Sequence, residues 1–208
     1  MSSLDHTCPL TYAITDWHIC ISGFRQHEGE LSGLHRVWLS LLDLSMPRCQ
    51  VLLREWDSDW RGLAELIWLT RPELDGQPLV NIYAYSWGVG HGFVNLAREL
   101  GRRGITVDNA VLCDPIYHSR LLSMRWLAYT GWPAITIPAN VRTVWGTHQR
   151  VSSPCGHPLK VSSGASTDIR ENLQLSCGHR WADESSFFRM QVRKVSGVKV
   201  WNPKREGA

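Results

Sequence analysis

The chain has 208 residues and a mass of 23.7 kDa, the size of one domain able to bury a full core. Apolar residues at 43% and charged residues at 20% exclude wholesale disorder and a fibrous repeat. The formal charge of +3 is too small to neutralise a row of phosphates, which argues against a nucleic-acid partner.

In chain order, Trp17 to Ile21 is a short apolar run ending in Ser22-Gly23-Phe24, which predicts a buried strand opening into a glycine turn. A helix is expected over Glu30 to Leu42, where Leu31, Leu34, Val37, Trp38, Leu41 and Leu42 form one stripe. Gln50 to Trp56 is the next strand, and Asp59 is placed to cap a helix from Trp60 to about Leu69. Pro72 and Gly76 break the chain before a third strand, Leu79 to Tyr85. Phe93, Leu96, Ala97 and Leu100 mark an amphipathic helix running to Arg103 and stopped by Gly104. A fourth strand covers Val107 to Cys113, a fifth about Val141 to Trp145, and a last helix runs from Phe187 to about Val195. Strands alternating with helices predict an α/β fold, a three-layer sandwich around a mostly parallel sheet of about five strands. The chain 1–208 reads as a single domain, with 116–140 a short rim segment and 202–208 a flexible tail.

No run of about 18 apolar residues is present, and the start lacks the basic-then-apolar order of a signal peptide. A cytoplasmic protein without a transmembrane segment is therefore expected. Arg189, Arg193, Lys194, Lys199, Lys204 and Arg205 read as a solvated helix face and tail. The six cysteines, Cys8, Cys20, Cys49, Cys113, Cys155 and Cys177, are expected to be reduced in that compartment. Two triplets, Cys155-Gly156-His157 and Cys177-Gly178-His179, supply the ligand types of a zinc site, but the single residue between paired ligands is shorter than structural zinc hooks use.

Ala84-Tyr85-Ser86-Trp87-Gly88 matches a small-x-Ser-x-Gly turn between an apolar strand and a helix. Small side chains are needed two positions either side of the serine because the turn is tight. It lifts the Ser86 hydroxyl to the sheet's C-terminal edge, with a helix N-terminus behind it that favours developing negative charge. On these residues the sequence resembles the α/β-hydrolase family, of the minimal lipase, esterase and thioesterase type, from about Asp16 to Val195.

The resemblance implies a triad in the order serine, acid, histidine, and Ser86, Asp114 and His179 occur in that order. Ser86 would be the nucleophile, His179 the base and later the acid, and Asp114 the group that orients the imidazole. Asp114 follows the fourth strand, whereas the family's commoner acid follows the next one. Gly146, Thr147, His148 and Gln149 there offer no carboxylate. Asp168 and Asp183 remain alternatives for the acid, and His157 for the base, with His18 and His91 further candidates. The resemblance also implies oxyanion donors at the backbone N–H groups of Trp87 and Phe24, and no cofactor or metal.

Eleven tryptophans against five tyrosines and four phenylalanines is an excess of a side chain suited to cores and pocket walls. Trp126 and Trp132, in the rim segment, and Trp181, beside His179, are the candidate substrate contacts, with Trp87 next to the serine. The implied function is a serine hydrolase taking a small-molecule acyl ester or thioester. The alternatives are an inactive binding protein on the same fold and a zinc protein built on the two triplets. Substrate identity and oligomeric state are not legible in the residues.

Overall fold

The computed structural model of the chain describes residues 13–24, 26, 31–44, 47–72, 76–119 and 121–200. The expected tail at 202–208, Cys8 and two of the basic residues, Lys204 and Arg205, lie outside them. Six parallel strands form the central sheet in the order β2-β1-β3-β4-β6-β8. They are β1 (Asp16–Ile21), β2 (Cys49–Arg54), β3 (Leu79–Tyr85), β4 (Val107–Cys113), β6 (Val141–Gln149) and β8 (Asp168–Leu175). A separate parallel pair joins β5 (Ile135–Ile137) to β7 (Leu159–Val161).

The helices cover both faces, as a parallel sheet requires. On one face, α2 (Trp60–Leu69) and α3 (Val94–Arg102) bury Leu63, Ile67, Leu96 and Leu100 against Ile19, Ile82 and Leu112. On the other, α1 (Gly33–Leu42) and α4 (Ser186–Ser196) bury Leu34, Leu41, Phe188 and Val192 against Cys20, Tyr83 and Val111. Successive side chains of β1 and β3 thus alternate between two cores, which is why both strands are mostly apolar rather than alternating apolar and polar.

Four differences from the sequence expectation have local causes. The first helix begins at Gly33, because Ser32 caps it by accepting from the His35 N–H; Leu31 stays outside and exposed. The helix after β3 starts as a π-wound turn, Gly88–Phe93, before α3. Here Gly88 and Gly90 let the carbonyls of Ile21, Ser22 and Ile116 approach to distances no Cβ would allow. Strand β6 runs on to Gln149, four residues past the expected end at Trp145, carried by pairing with both β4 and β8. The sixth strand, β8, has no apolar signature: it is an edge strand, mostly exposed over Asp168 to Arg170. Its free edge is dressed by Glu171, which bonds Lys194 and Gln191 of α4.

The rim segment 116–140 holds a 3-10 turn, Leu122–Tyr129, and β5. No helix among the described residues is long and apolar enough to cross a membrane. The five described cysteines are all free thiols.

Candidate active site

Neighbouring strands β3 and β4 end at the same level, with Tyr85 paired to Cys113. The next residue in each is Ser86 or Asp114, and these are the described non-glycine residues with positive φ, at 57° and 43°. Such a backbone is costly for any residue with a Cβ, and it persists where surrounding bonds hold it. Ser86 N–H donates to the Cys113 carbonyl at 3.0 Å, and the Ser86 carbonyl accepts from Val89, Gly90 and Ile116. Asp114 N–H donates to the Thr147 carbonyl at 2.7 Å. Two adjacent strands thereby raise a hydroxyl and a carboxylate side by side at one sheet edge. Gly88, two residues after Ser86, sits where an added Cβ would lie 2.4 Å from the Ile21 carbonyl oxygen, so only glycine lets the helix pack under the turn.

His179 closes the arrangement from a 3-10 turn, His179–Glu184, after β8. Its Nδ1 lies 2.6 Å from Asp114 Oδ2, and its Nε2 lies 3.0 Å from Ser86 Oγ. A carboxylate can only accept, so the Nδ1 proton goes to Asp114 and the Nε2 lone pair is left to take the serine proton. The aspartate is fully buried, and Oδ1, its other oxygen, accepts from the Gln149 N–H at 3.0 Å. The segment that lacks a carboxylate therefore contributes a backbone donor instead. Three further groups hold the imidazole. Ser152 Oγ accepts from the His179 N–H at 2.8 Å, the Tyr85 hydroxyl donates to the His179 carbonyl at 2.6 Å, and the Tyr85 ring stacks on the imidazole at 5.1 Å between centroids. Burial pushes the Tyr85 hydroxyl's pKa far up, which keeps it a donor.

The alternative residues are committed elsewhere. His157 accepts from the Tyr117 N–H at Nδ1 and donates from Nε2 to the Leu127 carbonyl, while burial pulls its pKa down. Asp168 pairs with Arg170 on the exposed edge. Asp183 is buried but accepts from the Leu34 N–H and from Gln26 Nε2. His18 bonds Tyr83, and His91 packs against Trp56 and His118. Cys155, Cys177, His157 and His179 form no three-ligand group; among the described residues one such group exists, and it lies elsewhere.

No family model and no curated protein matches this chain. Among solved structures it is similar to "RedJ with PEG molecule bound in the active site", at 12% identity over 95% of each chain and a TM-score of 0.41.

Two cavities meet at His179. The smaller, about 170 Å³, is walled by Phe24, Trp87, Ile116, Tyr129 and Pro154 with Ser86 at its base. The larger, about 530 Å³, runs past Tyr85, Gln26, Arg180 and Trp181. Phe24 packs on Trp87 at 4.3 Å, and Trp87 in turn meets Trp56 and His118. The rim tryptophans are placed differently from expectation. Trp126 and Trp132 are 60% and 66% exposed and line neither cavity. Leu127 and Ala128 are the buried residues of the 3-10 turn, and the rim's aromatic contribution to the Ser86 cavity is Tyr129.

The loop that carries Phe24 is tied by polar groups the sequence does not single out. Gly23 N–H donates to Gln26 Oε1 at 3.0 Å, and Gln26 Nε2 donates to Asp183 Oδ2 at 2.9 Å. An added Cβ at Gly23 would come within 2.9 Å of Ser86 Cβ, so glycine permits the close approach of this loop. Burial raises the Asp183 pKa above its ordinary 3.8, against the lowering by the Leu34 N–H and Gln26. With the folded value above the unfolded one, its contribution to stability is full below pH 3.8 and is lost as pH rises through the folded value. Asp183→Asn is therefore expected to flatten the pH dependence of stability across the weakly acidic range, read from urea midpoints at a series of pH values.

Proposed function

We propose that this chain is a serine hydrolase that cleaves a carboxylic ester or thioester through an acyl-enzyme at Ser86. The observation that carries this reading is the unbroken hydrogen-bonded chain from Ser86 Oγ through His179 to Asp114, at 3.0 and 2.6 Å. Its geometry suits nucleophilic acyl transfer. Ser86 Oγ attacks the substrate carbonyl carbon as its proton passes to His179 Nε2, and the imidazolium that forms is stabilised by buried Asp114. The oxyanion turns toward the N–H groups of Trp87 and Phe24, each donor supplying about 3 kcal/mol of transition-state stabilisation. Collapse of the tetrahedral intermediate breaks the bond to the leaving alcohol or thiol, which takes the proton from His179. Water, deprotonated by the same nitrogen, then releases the acid and restores Ser86.

The small cavity at Ser86 supports a short acyl group, because about 170 Å³ is below the roughly 300–1,000 Å³ of sites that enclose drug-sized ligands. The larger cavity across His179 would take the leaving group. A series of p-nitrophenyl esters of increasing chain length tests this: kcat/KM is expected to peak at short chains, and a rise toward long chains would contradict the assignment.

Gln26 is a positioning residue in this scheme, since it holds Gly23 and so the Phe24 N–H. Gln26→Ala is expected to lower kcat about tenfold with KM little changed, the signature of an interaction made in the transition state. Steady-state kinetics on short-chain esters, beside an unchanged urea midpoint, checks it.

A further inference from the structure

Asp16 and His18 sit two residues apart on β1 and therefore project from the same face of the sheet. Cys49, the first residue of β2, is the register partner of Asp16. The carboxylate, imidazole and thiol donor atoms lie within 4.8 Å of one another. They occupy the N-terminal edge of the parallel sheet, opposite the edge that carries Ser86.

The hydrogen bonding at this edge is incomplete in a particular way. His18 Nδ1 lies 2.9 Å from the Tyr83 hydroxyl, a group that can donate to it or accept from it. His18 Nε2 lies 3.4 Å from Asp16 Oδ1, and that buried carboxylate oxygen has no hydrogen-bond partner. A cation held between the carboxylate, the imidazole and the thiol would satisfy that oxygen.

We propose that Asp16, His18 and Cys49 form a Zn²⁺ site that clasps the starts of β1 and β2. The mixed O, N and S donor set excludes Ca²⁺ and Mg²⁺, which take oxygen, and suits zinc. Tetrahedral zinc with bonds of about 2.0–2.3 Å sets its ligand atoms roughly 3.3–3.8 Å apart. The 3.4 Å from Asp16 to His18 already meets that. The hydrogen bond between Nδ1 and Tyr83 orients the imidazole for metal binding through Nε2. Water completes the sphere from an adjoining cavity of about 450 Å³ lined by Thr15, Pro47 and Arg48. The site is separate from the two Cys-Gly-His triplets and stabilises the fold rather than taking part in acyl transfer.

Titration of the chelator-stripped full chain with Co²⁺ and then Zn²⁺ tests the proposal. The expected result is one equivalent of metal per chain, with a near-ultraviolet thiolate-to-cobalt charge-transfer band that Zn²⁺ abolishes. Cys49→Ser should remove the band and Asp16→Asn should weaken binding by more than about tenfold. Cys155→Ser and Cys177→Ser should retain both band and affinity. Zn²⁺ should also raise the thermal midpoint of the wild-type chain, as any ligand of the folded state does, but not that of Cys49→Ser. Absence of stoichiometric binding to the wild-type chain, or a band that survives Cys49→Ser, would overturn it.

Discussion

Ser86→Ala is expected to reduce ester turnover by roughly a millionfold, the loss typical of removing a nucleophile from a triad. The substitution deletes one hydroxyl from a nearly buried site and leaves the left-handed backbone at φ 57° to be held by the bonds of its N–H and carbonyl, so folding should be retained. What disappears is the only proton the imidazole is placed to accept. His179→Ala should cost about as much, and the double variant little more, because the two groups act as one device rather than as independent contributors. Steady-state assay of a short-chain p-nitrophenyl ester checks all three. Equal and additive losses would instead mean that Ser86 and His179 contribute separately.

Asp114→Asn is expected to lower kcat about ten-thousandfold with KM little affected. The two side chains have the same shape, and the asparagine oxygen can still accept from the Gln149 N–H at the Oδ1 position. At the other position the amide presents N–H groups to His179 Nδ1, where the carboxylate accepted at 2.6 Å. Nδ1 must now be an acceptor, which moves the ring proton to Nε2 and points a donor at Ser86 Oγ. The serine then has no base. Asp114→Ala, which leaves a hole in a fully buried site, would lose both the charge and the packing, so the asparagine variant isolates the proton arrangement. The check is a kcat ratio measured on protein whose urea midpoint matches wild type.

The parts of the fold that were legible in the residues are those where local pattern and tertiary demand agree. Strands β3 and β4 are buried on both faces, so they read as mostly apolar runs, broken only by Asn81 in β3 and by Asp108 and Asn109 in β4, and their bounds coincide with expectation. Asp59 announces α2 by its capping chemistry and accepts from Gly62 N–H as it should. β8 was not legible because an edge strand carrying Arg170, Glu171 and Gln174 needs only one covered side, supplied by β6 and by α4. The end of β6 was hidden for the same reason, since Gly146, Thr147 and His148 are held as strand by partners distant in sequence.

At the site, Ser86, Asp114 and His179 could be singled out because the proposed acyl transfer needs their side chains. Gln26, Tyr85, Ser152 and Gln149 could not, because each acts on or through a backbone group that only the folded chain brings near. Tryptophan excess resolves along similar lines. Trp17 and Trp60 pack the core, Trp87 walls the Ser86 cavity and Trp181 the larger one, whereas Trp126 on the rim faces solvent.

Covalent capture at Ser86 tests the proposed nucleophile without need of a known substrate. Incubation of the folded wild-type chain with a fluorophosphonate, followed by intact mass and peptide mapping, should give one adduct per chain, on the peptide that contains Ser86. Ser86→Ala should take up none. An unmodified wild-type chain, or an adduct that persists in Ser86→Ala, would contradict the account.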